Sequence, residues 1–66
     1  MVIKKKILLF CPIGYLIEES FIPLIESLFC DYEISLLLGS EFLNKRQLKK
    51  LNTLCSYKKL KEYFIL

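Results

Sequence analysis

Two short apolar runs, each stopped by turn residues, constrain this chain more than any other feature. Ile7-Leu8-Leu9-Phe10-Cys11 is closed by Pro12 and Gly14, and Ile34-Ser35-Leu36-Leu37-Leu38 is closed by Gly39-Ser40. Apolarity that hardly alternates, bounded by turns and only five residues long, reads as a parallel strand buried on both faces. A third run, Tyr63-Phe64-Ile65-Leu66, follows a charged stretch. Between the runs the apolar spacing changes to three and four residues, the period of a helix. The spacing predicts strands over about 5–11, 33–38 and 62–66 and helices over about 17–30 and 44–55. Strands alternating with helices require parallel pairing and right-handed crossovers. The expected fold is α/β, an incomplete Rossmann-like βαβαβ unit with a parallel three-stranded sheet, forming one partial domain over residues 1–66.

The two helices carry their own signals. Ile17, Phe21, Leu24, Ile25, Leu28 and Phe29 form one apolar stripe, and Leu48, Leu51, Leu54 and Cys55 form the other. Pro23 is tolerated only in a first turn, where backbone N–H groups lack intrahelical partners. That places Ser20 as the N-cap of the first helix, with Glu18 and Glu19 near the positive end of its dipole. Asn44 is the expected cap of the second helix, whose Lys45, Arg46, Lys49 and Lys50 lie on the wet side. Asp31 and Tyr32 are read as the turn into the second strand.

Size sets the limits on function. A chain of 66 residues buries only about 60% of the surface its unfolded form exposes. Yet 55% of its residues are apolar, above the ~45–50% usual in soluble domains. The excess predicts apolar surface intended for cover, by self-association or by a missing part of a parent protein. The final Tyr-Phe-Ile-Leu points the same way, since a parallel strand needs further sheet and helices around it. Cys11, Cys30 and Cys55 lie among apolar neighbours and are expected to be small core residues, with no C-x-x-C pair and no His to support a zinc site or a thiol nucleophile. Free thiols suggest the reducing cytosol. The uncharged run from Ile7 to Ile17 behind Lys4, Lys5 and Lys6 spans eleven residues, short of the ~20 that cross a bilayer. No transmembrane segment and a cytoplasmic location are expected.

Candidate chemistry lies beyond the carboxyl ends of the strands, where open parallel sheets bind ligands. The loops there are Pro12-Ile13-Gly14-Tyr15 and Gly39-Ser40-Glu41. Gly14 and Gly39 are the only glycines, so neither the dinucleotide fingerprint nor the P-loop spacing can be built. No cofactor is expected. Gly14, Ser20 and Ser40 are the candidate substrate-binding residues, and Glu18 and Glu19 the weak catalytic candidates. A glutamate becomes a useful base only when burial raises its pKa, and two adjacent glutamates on a helix point about 100° apart. Seven Lys or Arg lie between Lys45 and Lys61, against three Lys and six acids in residues 1–44. They occupy a helix's polar face without interleaved aromatics, which argues for a solvated face and against nucleic acid.

The order of a Lys-led strand ending in Cys11-Pro12-Ile13-Gly14, the stretch Glu19-Ser20-Phe21-Ile22-Pro23-Leu24-Ile25-Glu26-Ser27-Leu28, and the strand from Tyr32 to Leu38 resembles the opening of a GT-B-type transferase. Phe21-Ile22-Pro23-Leu24-Ile25 is similar to that superfamily's helix-starting Pro segment, and bacterial CDP-glycerol glycerophosphotransferases and surface-polysaccharide glycosyltransferases begin similarly. The resemblance covers residues 5–43. It implies an acceptor-side piece of a transferase of envelope polysaccharide synthesis, inactive without a C-terminal donor-binding half. Many members place His three residues before that Pro, where this chain has Ser20; some relatives use an acid near this helix start, as Glu18 or Glu19 would be. The alternative is a small non-catalytic α/β interaction module that docks through its basic helix.

Overall fold

The computed structural model describes residues 3–66. The chain runs as β1 (Lys5–Cys11), a helical stretch that opens with a π-helical turn (Ile17–Phe21) and continues as α1 (Ile22–Leu28), then β2 (Tyr32–Leu38), α2 (Lys45–Ser56) and β3 (Glu62–Ile65). The strands form one parallel sheet in the order β1-β2-β3. This is the α/β, Rossmann-like βαβαβ arrangement that the spacing predicts, with element ends shifted by a residue or two. Tyr32 belongs to the strand, not the turn, because it pairs with Lys5 at the start of the ladder.

Two successive right-handed crossovers in this order carry both helices to the same side of the sheet. The core lies there. Ile17 and Ile25 from the first helical stretch and Leu51 and Leu54 from α2 join Cys11, Ile34, Leu36, Leu38 and Leu60, all buried. The opposite face is bare. Leu8 and Phe10 on β1 and Phe64 on β3 are 64%, 52% and 51% exposed, while Leu37 between them is half-buried. Register stacks these residues in rows, Leu8–Ser35–Glu62 and Phe10–Leu37–Phe64. Burial on both faces, expected from the unbroken runs, is therefore corrected: only alternate residues are covered, since both helices occupy one side.

The first helix departs from its expected start. Pro23 cannot donate a backbone hydrogen bond. The turn before it widens instead, with the Ile22 N–H reaching the Ile17 carbonyl five residues back. Helical geometry thus begins at Ile17, and Ser20 lies within the widened turn, not at a cap; neither the π-turn nor α1 has a side-chain cap. By contrast, Asn44 caps α2 as expected. Its Oδ1 accepts from the Gln47 N–H, and Gln47 Oε1 accepts in return from the Asn44 N–H, both at 2.9 Å. Beyond α2, the Lys58 N–H bonds Cys55 O and the Lys59 N–H bonds Leu54 O, with Lys58 at φ 59°. That is the Schellman pattern with lysine in place of the usual glycine.

Cysteine burial follows position. Cys11 is buried at the end of β1 and Cys55 is half-buried on α2, but Cys30 is exposed. It occupies the tight turn between α1 and β2, where the chain has left the core, so the expectation of three buried thiols fails at this residue. Burial pushes the Cys11 and Cys55 thiols up from their ordinary pKa.

Candidate functional site

The two loops at the carboxyl edge of the sheet are joined to each other. The Gly14 N–H donates to the Glu41 carbonyl at 2.7 Å, and the Gly39 N–H donates to the Cys11 carbonyl at 2.8 Å. Both glycines serve close approach. A Cβ on Gly14 would lie 2.4 Å from the Phe42 carbonyl oxygen, and one on Gly39 would lie 2.2 Å from that of Pro12. Neither has a positive φ. Glycine is present because backbone meets backbone, a different reason from a left-handed turn.

Gln47 completes this junction. It is buried, and its Nε2 donates to the Gly14 carbonyl at 2.8 Å while its Oε1 serves the Asn44 cap. One side chain therefore fixes the start of α2 against the loop after β1. The signal was present in the spacing of Asn44 and Gln47, which matches a capping box; its second bond, to Gly14, depends on tertiary structure alone.

The remaining candidates are distributed around this edge. Ser40 opens the second loop and is exposed, as are Glu19 and Ser20 in the π-helical turn. Glu18 turns away from the loops toward α2, into a groove of about 390 Å³ that Ile22, Glu26, Lys50, Thr53 and Leu54 also line. Its carboxylate takes Lys50 Nζ at 2.9 Å and Arg46 at 3.1 Å. The hydrogen bond from Lys50, with the Arg46 guanidinium beside it, holds the Glu18 carboxyl below the ordinary glutamate range. A carboxylate so stabilised is an interhelix ion pair, the reverse of a general base tuned toward neutrality. The structure brings Gly14 against the loop that carries Ser40, where it meets Glu41 and Phe42, and it does not place Glu18 with them.

Exposed aromatics complete the edge, and sequence reasoning missed them. Tyr15 follows Gly14, Phe42 follows Glu41, and their ring centroids are 6.3 Å apart at an interplanar angle of 57°. They are 53% and 68% exposed. Ser40-Glu41-Phe42-Leu43 forms a turn closed by the Leu43 N–H on the Ser40 carbonyl at 3.3 Å, and its third residue, Phe42, has φ 59°. Glycine or asparagine ordinarily occupies such a position. A bulky residue there costs about 1–3 kcal/mol. Complete burial of a phenylalanine contributes about 1.5–3 kcal/mol, and this ring is 68% exposed, so its own burial does not recover the cost.

A larger hollow, about 410 Å³, lies at the opposite edge among Lys4, Lys6, Lys58, Lys61, Tyr32 and Glu33. Two of its four lysines serve structure: Lys4 Nζ donates to the Phe29 carbonyl at the end of α1, and Lys61 pairs with Glu33 at 3.3 Å. Cations at helix C-termini offset the helix dipole. Among the described residues no group of His, Cys, Asp and Glu could hold a metal ion, and no helix is long and apolar enough to cross a membrane. Comparison with protein-family models, curated proteins and solved structures finds no match to this chain.

Proposed function

We propose that this chain is part of a larger α/β assembly, the acceptor-side piece of a glycosyl- or glycerophosphotransferase of bacterial envelope polysaccharide synthesis, inactive when alone. The observation that carries the need for a further part is the bare sheet face. Leu8, Phe10 and Phe64, with Leu37 among them, form an apolar surface on the side that neither helix covers. Parallel sheets are covered on both faces in stable domains. The partner is the donor-binding half of the parent protein, and self-association through the same face replaces it when the chain is alone. The transferase assignment is supported by the resemblance over residues 5–43 and by loops at the carboxyl edge.

Alone, the chain lacks a second face for a cleft that must hold donor and acceptor together, and positioning is worth roughly 7–11 kcal/mol of barrier. Calorimetric titration with CDP-glycerol, UDP-sugars and GDP-sugars is expected to show no tight binding and no turnover. Sequencing the coding DNA on both sides of this segment tests the parentage. A frame encoding a second α/β half is the expected result; unrelated sequence in every frame defeats the reading and favours the interaction module, which would fold cooperatively as it stands.

A further inference from the structure

We propose that Tyr15 and Phe42 form a stacking platform for the ring of a neutral, hydroxyl-rich sugar at the carboxyl edge of the sheet. The choice of a sugar rests on the acceptor-side reading above; the platform itself rests on geometry. The two rings come from the loops after β1 and β2 and sit 6.3 Å apart. The backbone bond from Gly14 to Glu41, between their immediate neighbours, holds those loops together. Phe42 occupies a turn position suited to glycine, keeps 68% of its surface exposed and lies outside the core. A costly conformation that the ring's own burial does not repay points to a role in binding.

The surroundings select among ring ligands. Aromatic faces stack on any flat or puckered ring that offers an apolar face. The tilt of 57° leaves no parallel slot for a flat base. The Gly14 N–H, a donor that a phosphate after β1 would use, is already held by the Glu41 carbonyl. Ser40 and Glu41, both exposed beside Phe42, offer a hydroxyl and a carboxylate. The carboxylate accepts hydrogen bonds from sugar hydroxyls and repels a phosphate. A sugar's apolar C–H face would lie on the rings, with its hydroxyl rim toward residues 40 and 41.

The test is amide-resolved NMR titration of the 66-residue chain with cellobiose, maltose and N,N′-diacetylchitobiose, with uridine and adenosine as flat-ring comparisons. The expected result is saturable shifts at residues 14–15 and 40–43 for at least one sugar, with Kd on the order of millimolar for so open a site. Phe42→Gly weakens that binding by about tenfold or more, and Tyr15→Leu weakens it too. Thermal melting keeps the test independent of folding: Phe42→Gly, which suits the turn, melts no lower than the parent chain. Absence of sugar-induced shifts, shifts that Phe42→Gly leaves intact, preferential binding of the nucleosides, or a lower melting temperature for Phe42→Gly would each overturn the proposal. None of these outcomes bears on the coding-DNA test, so the platform and the transferase parentage fail separately.

Discussion

Replacing Gln47 isolates the bond that ties α2 to the loop after β1. In Gln47→Met the side chain keeps its length and burial but loses both polar atoms. The Asn44 N–H, partly open to water, loses its Oε1 acceptor, worth about 0.5–1.5 kcal/mol. The Gly14 carbonyl loses its Nε2 donor inside the junction but keeps the Ile17 N–H at 3.1 Å, so this bond too is worth about 0.5–1.5 kcal/mol. Together these give about 1–3 kcal/mol, which for a domain this small corresponds to ~4 °C or more in melting temperature. Gln47→Glu separates the two contributions, since a carboxylate still accepts from Asn44 but cannot donate to Gly14. Burial against a carbonyl raises that glutamate's pKa in the folded state. The added destabilisation is therefore complete above the folded pKa, fades as pH falls from the folded to the unfolded value, and is gone below the latter, where the protonated acid donates again. Circular-dichroism melts of both variants from pH 3 to pH 8 provide the assay. A Met variant within about 0.5 kcal/mol of the parent chain, or a Glu variant indifferent to pH, would refute the latch.

Gly39→Ala places a Cβ 2.2 Å from the Pro12 carbonyl oxygen, with backbone on both sides, and is expected to cost at least the ~1–3 kcal/mol of an overpacked site in urea unfolding; a neutral result would show that the loops separate freely. Ellman's reagent should label Cys30 first and Cys55 next, with Cys11 reacting only as the chain unfolds; equal rates would contradict the burial order. The Glu18 carboxyl is held below its unfolded pKa, so its contribution is present above the unfolded value and is lost as pH falls through the folded one. Glu18→Gln should flatten that acid limb of the melting curve, and an unchanged limb would remove the ion pair from the account.

Much of the architecture was legible because strand and helix signals did not compete. The runs ending at Cys11 and Leu38 give β1 and β2 almost to the residue, and Asn44 marks the start of α2. Which strand faces are covered was not legible from the runs alone. A run such as Leu8-Leu9-Phe10 records what a face must eventually meet, whereas exposure depends on where the helices lie, and here both lie on one side. Ser20 misled as a cap because Pro23 can be accommodated by widening the preceding turn as well as by starting a helix. Gly14 was correctly singled out as a special position, but the contact it makes was invisible, since a close approach to Phe42 requires two loops far apart in sequence. Phe42 left no local signal at all: nothing about a phenylalanine announces a positive φ.

The central claim, that the bare sheet face awaits cover, is tested most directly by sedimentation velocity on the chain and on its Leu8→Thr, Phe10→Thr, Phe64→Thr variant. Threonine keeps strand propensity while removing most of the apolar surface. The parent chain is expected to self-associate as concentration rises, and the variant to remain monomeric with a melting transition close to the parent's, because surface substitutions usually change stability by no more than ~0.5 kcal/mol each. A parent chain that stays monomeric at high concentration, or a variant that unfolds as a core variant would, would contradict the account.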